Sequence, residues 1–208
     1  MAESVAPLDA GVLWLAALQR ALGRASHDVK DALNGVSVNL EVIRSRAARP
    51  DAPAAAVATF AEAAAQQLDR LTTLLDAVLA LGRIERDPVD VGITLRRVAA
   101  LCGASSSAAD SSVVVHDHVI GDARTRLHGD VVRLALAAPL LEAVVGTRGG
   151  ARATDVECDL TGDATSLIVR LYADRPVRLP EDVSPTLHAA GLRWSETLND
   201  LSLIFPRA

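Results

Sequence analysis

The chain has 208 residues and a formal net charge of −5, and half of its residues are apolar although only 2% are aromatic. The acidic balance and the scarcity of aromatic side chains argue against nucleic-acid binding, which uses basic faces and stacking platforms. A core made of Ala, Leu and Val is instead typical of packed helices.

The cysteines and the hydropathy pattern limit where the protein works. Cys102 and Cys158 are distant in sequence and indicate neither a disulfide framework nor a cysteine metal site. The first residues show no basic stretch followed by an apolar one, so we expect no signal peptide. No apolar run approaches the roughly 18 residues needed to span a bilayer. We therefore expect a cytoplasmic protein without a membrane segment.

The first 88 residues predict two long helices. Over residues 9–49, apolar residues recur every three or four positions, as on one face of a helix: Trp14, Leu18, Leu22, Ala25, Val29, Leu33, Val36, Leu40 and Ile43. The prolines of "ARPDAPAA" end this helix. A second stripe predicts a helix over residues 54–86: Val57, Phe60, Ala64, Leu68, Leu71, Leu75, Val78 and Leu81. Two such helices joined by a short turn form an antiparallel hairpin.

A lone hairpin cannot bury both apolar stripes. We therefore expect two hairpins to pair into a four-helix bundle, which makes the protein a homodimer. The alternative is that the stripes pack on the C-terminal half of the same chain.

After residue 88, helices and strands mix. Helices are expected at residues 93–102 and 128–147, and strands in "SVVVHDHVI", on both sides of the turn "TGDA", and in "LNDLSLIFP". The sequence thus predicts an α+β protein: a long antiparallel helical hairpin over residues 1–88, followed by an α/β sandwich over residues 89–208.

One polar residue stands out on the first helix. His27 lies nearly opposite Ala25 and Val29 and so faces solvent. Its face also carries Arg20, Gly23, Arg24, Lys30, Asp31 and Asn34. A glycine inside a helix costs about 1 kcal/mol relative to alanine; at position 23 it clears space beside the imidazole. Local chemistry alone fits either an ordinary solvated face or a presented histidine.

The stretch "SHDVKDALNGVSVNLEVI" resembles the phospho-acceptor box of two-component sensor histidine kinases, Ser-His-Glu/Asp-x-Lys/Arg-x-Pro-Leu. Five positions match, and Ala32 replaces the usual proline: Ser26, His27, Asp28, Lys30 and Leu33. The later stretch "LLDAVLALGRIERDPVDV" resembles the exit sequence of the second kinase helix. Both motifs occur in the order and at the separation that this family shows.

The resemblance implies roles for the residues around His27. His27 would carry phosphate on an imidazole nitrogen, and Asp28 would be the adjacent acid that orients the ring and accepts its proton. With Lys30 these two residues form the implied catalytic set. The implied partner-binding set is Arg20, Gly23, Arg24, Asp31 and Asn34. Asp31 occupies the position where many kinases have the Thr or Asn used for dephosphorylation.

The C-terminal half resembles the kinase ATP-binding domain in outline, but its nucleotide site is degenerate. Pro139 and Ala143 stand where the family has Mg²⁺-binding Asn residues, and neither offers a side-chain oxygen. Asp174 is kept, yet Arg-Pro-Val follows it in place of the family's glycines. The ATP lid is missing as well. The resemblance therefore implies no ATP-dependent autokinase activity and no cofactor of the chain's own.

A retained phospho-acceptor hairpin beside a degenerate ATP-binding domain resembles dimeric histidine phosphotransferases. This implies that His27 takes phosphate from a phospho-aspartate of one response-regulator receiver domain and passes it to another, with Mg²⁺ on the receiver. The expected partners are a second copy of the chain, receiver domains and an upstream hybrid kinase. The alternative is a non-catalytic dimeric scaffold that sequesters a kinase or response regulator. His116 and His118 could chelate a metal, but the sequence suggests no third ligand.

Overall fold

A computed structural model of the chain describes residues 9–49, 53–83, 88–104, 112–145 and 155–208. Its elements in chain order are α1 (Ala10–Ala47), α2 (Ala55–Leu81), β1 (Val89–Asp90), α3 (Val91–Ala104), β2 (Ser112–Asp117), β3 (Arg124–Thr125), α4 (Gly129–Val145), β4 (Asp155–Gly162), β5 (Ser166–Ala173), α5 (Ser184–Ala189), β6 (Arg193–Glu196) and β7 (Asp200–Pro206). Long helices combined with a mixed sheet confirm the α+β class.

Helices α1 and α2 form the predicted antiparallel hairpin. Helix α1 begins after Asp9, whose carboxylate accepts a hydrogen bond from the Gly11 backbone N–H at 2.7 Å and so satisfies an otherwise unpaired donor. Near the turn, the Arg46 guanidinium lies 4.7 Å from the centre of the Phe60 ring. This cation–π contact ties the end of α1 to the start of α2.

The second helix is shorter than the sequence pattern suggests. It ends at Leu81 rather than near residue 86, and the Gly82 N–H donates the last helical hydrogen bond, to the Val78 carbonyl at 2.9 Å. Glycine is a poor helix former, which accounts for the end at this point. Residues 84–87 lie outside the described part of the chain.

Five strands form one sheet in the order β2-β4-β5-β7-β6, in which only β2 and β4 run parallel. Alternate residues of the three central strands are buried on one face: Val156, Cys158, Leu160, Leu167, Val169, Leu171, Leu201, Leu203 and Phe205. Strands β1 and β3 form a separate antiparallel pair. The buried face of the five-stranded sheet is the floor of the main core.

The core continues from the sheet through α4 into the first half of α1. Helix α4 contacts α1, α3 and β4, and the residues that α1 contributes to the shared core all precede residue 26: Trp14, Ala17, Leu18, Ala21 and Ala25. This part of the stripe therefore packs on the C-terminal half of the same chain. Farther along α1, Leu33 and Leu40 are about half exposed, at 49% and 55%. The core is continuous across residue 88, and the division into two domains there stays a prediction.

Three short elements were not predicted: β1, α5 and β6. Strand β6 shows no alternation of buried and exposed residues and is defined by its antiparallel pairing with β7. Such strands carry no periodic signal because their backbone bonds depend on residues elsewhere in the chain.

Candidate functional site

His27 lies in the middle of α1 on the side that faces away from the core. Its side chain is 75% exposed, whereas Ala25 is buried in the shared core. At 100° per residue, His27 lies opposite the stripe that packs on α2 and α4. The helix therefore presents the imidazole to solvent, as the periodicity predicted.

The imidazole of His27 contacts the carboxylate one turn farther along the helix. The distance between His27 Nδ1 and Asp31 Oδ2 is 3.0 Å. Residues four apart on a helix are neighbours, so the contact follows directly from the spacing. This contact was not predicted, since Asp31 was expected in the partner-binding set. The orienting role that the resemblance implies for Asp28 stays a prediction, because the Asp28 side chain lies outside the described part of the structure.

Space is open next to this pair. A Cβ atom on Gly23, one turn before His27, would meet nothing within 4 Å. Arg20, Lys30 and Asn34 are all exposed on the same side of α1. The structure thus places six of the eight predicted site residues on one solvent-facing side of α1. The side chains of the other two, Arg24 and Asp28, are not described.

Helix α4 differs sharply from this surface. All of its residues from Val131 to Leu141 are buried, including Pro139, and Ala143 is half buried. The buried charge of this segment, Arg133, donates to Asp130 Oδ1 at 2.9 Å and to the Arg83 carbonyl at 2.8 Å. It thereby ties α4 to the backbone two residues after the end of α2. The positions that the resemblance assigns to metal-binding Asn residues thus carry packed apolar side chains.

The two histidines at the end of β2 lie close together. The rings of His116 and His118 are nearly parallel with centres 6.3 Å apart, and His116 Nε2 is 3.6 Å from Glu157 Oε2. Glu157 also accepts a hydrogen bond from the Tyr172 hydroxyl, which raises the pKa of Tyr172 to about 12. Within the described residues, no group of three His, Cys, Asp or Glu side chains is placed to hold a metal ion.

The two cysteines are core residues. Cys102 on α3 and Cys158 on β4 are buried and unbridged. Burial raises the pKa of the Cys158 thiol to about 12, because the apolar core disfavours the charged thiolate. Burial raises the pKa of Cys102 too. Neither thiol is suited to act as a nucleophile near neutral pH.

The hairpin also exposes an apolar stripe beside the buried one. It consists of three leucines from each helix: Leu15, Leu33, Leu40, Leu68, Leu75 and Leu79. At 100° per residue, the three on α1 fall within about 20° of one another and the three on α2 within about 40°. We call these six residues the leucine stripe. None of the helices in the described ranges is both long and apolar enough to cross a membrane.

Neither the family models nor the curated proteins contain a match to this chain. Solved structures with a similar fold include the histidine kinase AdeS of Acinetobacter baumannii, at 12% identity and a TM-score of 0.40, covering 86% of this chain and 97% of that one. The histidine kinase domain of the blue-light activated EL346 kinase of Erythrobacter litoralis has 16% identity and a TM-score of 0.44, covering 90% and 94%.

A third similar structure is the histidine kinase ThkA in complex with the response regulator TrrA. It has 13% identity and a TM-score of 0.43, and the match covers 93% of this chain and 63% of ThkA. The identities and TM-scores are low throughout. The solved structures that the chain resembles are histidine kinases.

Proposed function

We propose that the chain is a histidine phosphotransferase of a two-component phosphorelay. His27 accepts a phosphoryl group from the phospho-aspartate of one receiver domain and passes it to the aspartate of another. The observation that carries the proposal is the presentation of His27: it is 75% exposed in mid-helix, with open space at Gly23 and a carboxylate on Nδ1. A rigid helix holds a nucleophile more precisely than a loop does.

The chemistry is nucleophilic catalysis by imidazole. The receiver's Mg²⁺ and lysine offset the charge on the transferred group, so this chain supplies no metal. His27, Asp28 and Lys30 form the proposed catalytic set. Docking of the receiver falls to the surrounding exposed residues: Arg20, Gly23, Arg24, Asp31 and Asn34. The cationic members suit an acidic, phosphorylated pocket.

We also propose that the phosphate does not come from ATP. A nucleotide site needs oxygen ligands for Mg²⁺ and room for the phosphates. Pro139 is buried within α4, and Ala143 is one turn farther on. Asp174 is exposed after β5 and is followed by a proline-containing turn without glycine. These residues support a structural rather than a nucleotide-binding role for the C-terminal half.

The leucine stripe supports the proposed homodimer. Its side chains are 49–60% exposed in a single chain, and exposed apolar faces mark protein interfaces when a partner covers them. Pairing two hairpins across the stripe would form the four-helix bundle and leave His27 on the outside, because His27 points away from the stripe. Leu68→Glu should convert the dimer to monomers in light scattering, whereas an unchanged mass would contradict this interface.

The proposed function is tested by phosphoryl transfer from a panel of phosphorylated receiver domains. We expect acid-labile label on the wild-type chain, no label on His27→Ala, and wild-type labelling of His118→Ala, which removes another exposed histidine. Thermal unfolding checks that each variant is folded. Receivers that bind equally to the wild type and to His27→Ala, without labelling either, would support the non-catalytic scaffold and overturn the phosphotransferase.

A further inference from the structure

We infer that Asp31 is the positioning residue for His27, and that it holds the ring with its proton on Nδ1 so that Nε2 is the phosphorylated nitrogen. The catalytic part of this assignment rests on the proposed phosphotransfer, whereas the ring orientation does not. It is carried by the 3.0 Å distance between His27 Nδ1 and Asp31 Oδ2, within an unbroken stretch of α1.

The helix geometry favours the acid at position 31 over the one at position 28. Residues four apart project to nearly the same side of a helix, but adjacent residues are turned by 100° and do not face each other. The contact with Asp31 therefore needs no unusual rotamer.

The chemistry of the two partners fixes the position of the proton. An ionised carboxylate only accepts hydrogen bonds, so the Nδ1 atom facing Asp31 must be the donor. In the neutral ring the other nitrogen, Nε2, then carries the lone pair. The contact thus selects one tautomer and leaves the nucleophilic nitrogen on the far side of the ring from Asp31.

The transfer step then balances without a separate base. The Nε2 lone pair forms the P–N bond while the P–O bond to the receiver's aspartate breaks and its electron pair stays on that carboxylate oxygen. The ring, still protonated on Nδ1, becomes a cationic phospho-imidazolium, and the Asp31 carboxylate offsets that charge. In the onward step, a second receiver's carboxylate attacks phosphorus and the P–N electron pair returns to Nε2. No proton leaves the ring in either direction, so this step does not use the proton-accepting role that the resemblance implies for Asp28.

Nitrogen chemical shifts of His27 test the orientation without any receiver. At about pH 8.5, where an ordinary imidazole is neutral, we expect the wild type to show the Nδ1–H tautomer. Asp31→Ala should shift the ring toward a mixture of tautomers, while Asp31→Asn, whose amide oxygen still accepts, should retain much of the bias. Asp28→Asn should leave the tautomer unchanged. A tautomer that responds to Asp28→Asn and not to Asp31→Ala would overturn the assignment.

Transfer rates test the catalytic part. Asp31→Ala and Asp31→Asn should both slow labelling of His27 by roughly tenfold, the size of one charge-assisted hydrogen bond. Glu41→Gln is the matched control, because it removes one exposed carboxylate of α1 that pairs with Arg44; it should transfer at the wild-type rate. Full-speed transfer by Asp31→Ala would overturn the role.

The two proposals fail in different ways. If the wild type takes no label but its His27 tautomer depends on Asp31, the proposed phosphotransferase activity is contradicted and the proposed orientation of the ring is supported. If phosphorus–nitrogen NMR correlations place the label on Nδ1, the phosphotransferase activity is supported and the proposed role of Asp31 is contradicted.

Discussion

Helices α1 and α4 lie against each other, yet α1 exposes its polar side chains midway along its length whereas α4 is buried there. Midway along α1, His27 and Asp31 are exposed beside open space at Gly23, with His27 Nδ1 3.0 Å from Asp31 Oδ2. Along α4, eleven consecutive residues from Val131 to Leu141 are buried. Its one charged residue in that segment, Arg133, serves packing by bonding Asp130 and a backbone carbonyl.

The difference indicates where chemistry can take place. A nucleophile must be accessible and oriented, and α1 provides both conditions for His27. A nucleotide site must leave polar groups free to receive phosphates and a cation, whereas α4 is filled by side chains of the core. The proposed phosphotransfer therefore belongs to α1, and α4 is the buried helix against which the first half of α1 packs.

The largest expected effect on stability lies in α4. Leu140 is fully buried, so Leu140→Ala should lower the free energy of unfolding by about 2–5 kcal/mol through lost burial and the cavity left behind. Ile120→Ala, at a site that is 95% exposed, should change it by less than about 0.5 kcal/mol. Urea unfolding at one protein concentration measures both. A mild effect of Leu140→Ala would contradict the role of α4 as the core helix.

Replacing either of two glycines of α1 by alanine should have a smaller effect of opposite sign on the free energy of unfolding. Gly23→Ala should raise the free energy of unfolding by about 0.5–1 kcal/mol, because the site is open and alanine favours helix. Gly35→Ala should gain less, since the added methyl group would collide with the Gln67 amide, which also accepts from Asn39. Equal gains in thermal unfolding would contradict the different surroundings of the two glycines.

Gly23 also separates stability from function. A bulky residue there would fill the space beside His27 without entering the core. Gly23→Phe should therefore unfold at or above the wild-type temperature, because the added ring disturbs no packing. It should nevertheless slow phosphoryl transfer from the receiver. Wild-type transfer by Gly23→Phe would show that the open space is not used.

The smallest expected effect lies in the β4–β5 turn, far from both helices in sequence. Backbone N–H groups of Thr165 and Ser166 donate to Asp163 and lower its pKa from 3.8 to about 2. Because the folded pKa is below the unfolded one, this stabilisation is complete above pH 3.8 and is lost as the pH falls toward 2. Asp163→Ala should therefore lower stability at neutral pH and unfold with a weaker acid dependence, as followed by circular dichroism. An unchanged acid dependence would contradict this.

The sequence predicted the parts of the fold whose signals are local and periodic. The stripes through Trp14 and Leu71 predicted α1 and α2, and the turn "TGDA" predicted the strands β4 and β5 on either side of it. It did not predict β6, because Arg193–Glu196 is a strand only through its pairing with β7. It also could not say that the first half of α1 packs on α4, since that choice depends on residues more than a hundred positions away.

The exposure of the candidate site could be predicted from the sequence, but its side-chain contacts could not, because they depend on three-dimensional geometry. The exposure of His27 followed from periodicity, and the i, i+4 spacing to Asp31 was a visible signal that was assigned to partner binding instead. The family resemblance directed attention to Asp28, the adjacent acid. The contact of Asp31 with His27 appears only in three dimensions, whereas the role of Asp28 stays a prediction because its side chain lies outside the described part of the structure.

The central claim is that His27 receives phosphate from another protein and not from ATP. The most direct measurement offers the purified wild-type chain two labelled donors in parallel, γ-labelled ATP with Mg²⁺ and phosphorylated receiver domains, and maps the acid-labile label by peptide. We expect label on His27 from a phosphorylated receiver and none from ATP. Label on His27 from ATP alone would contradict it.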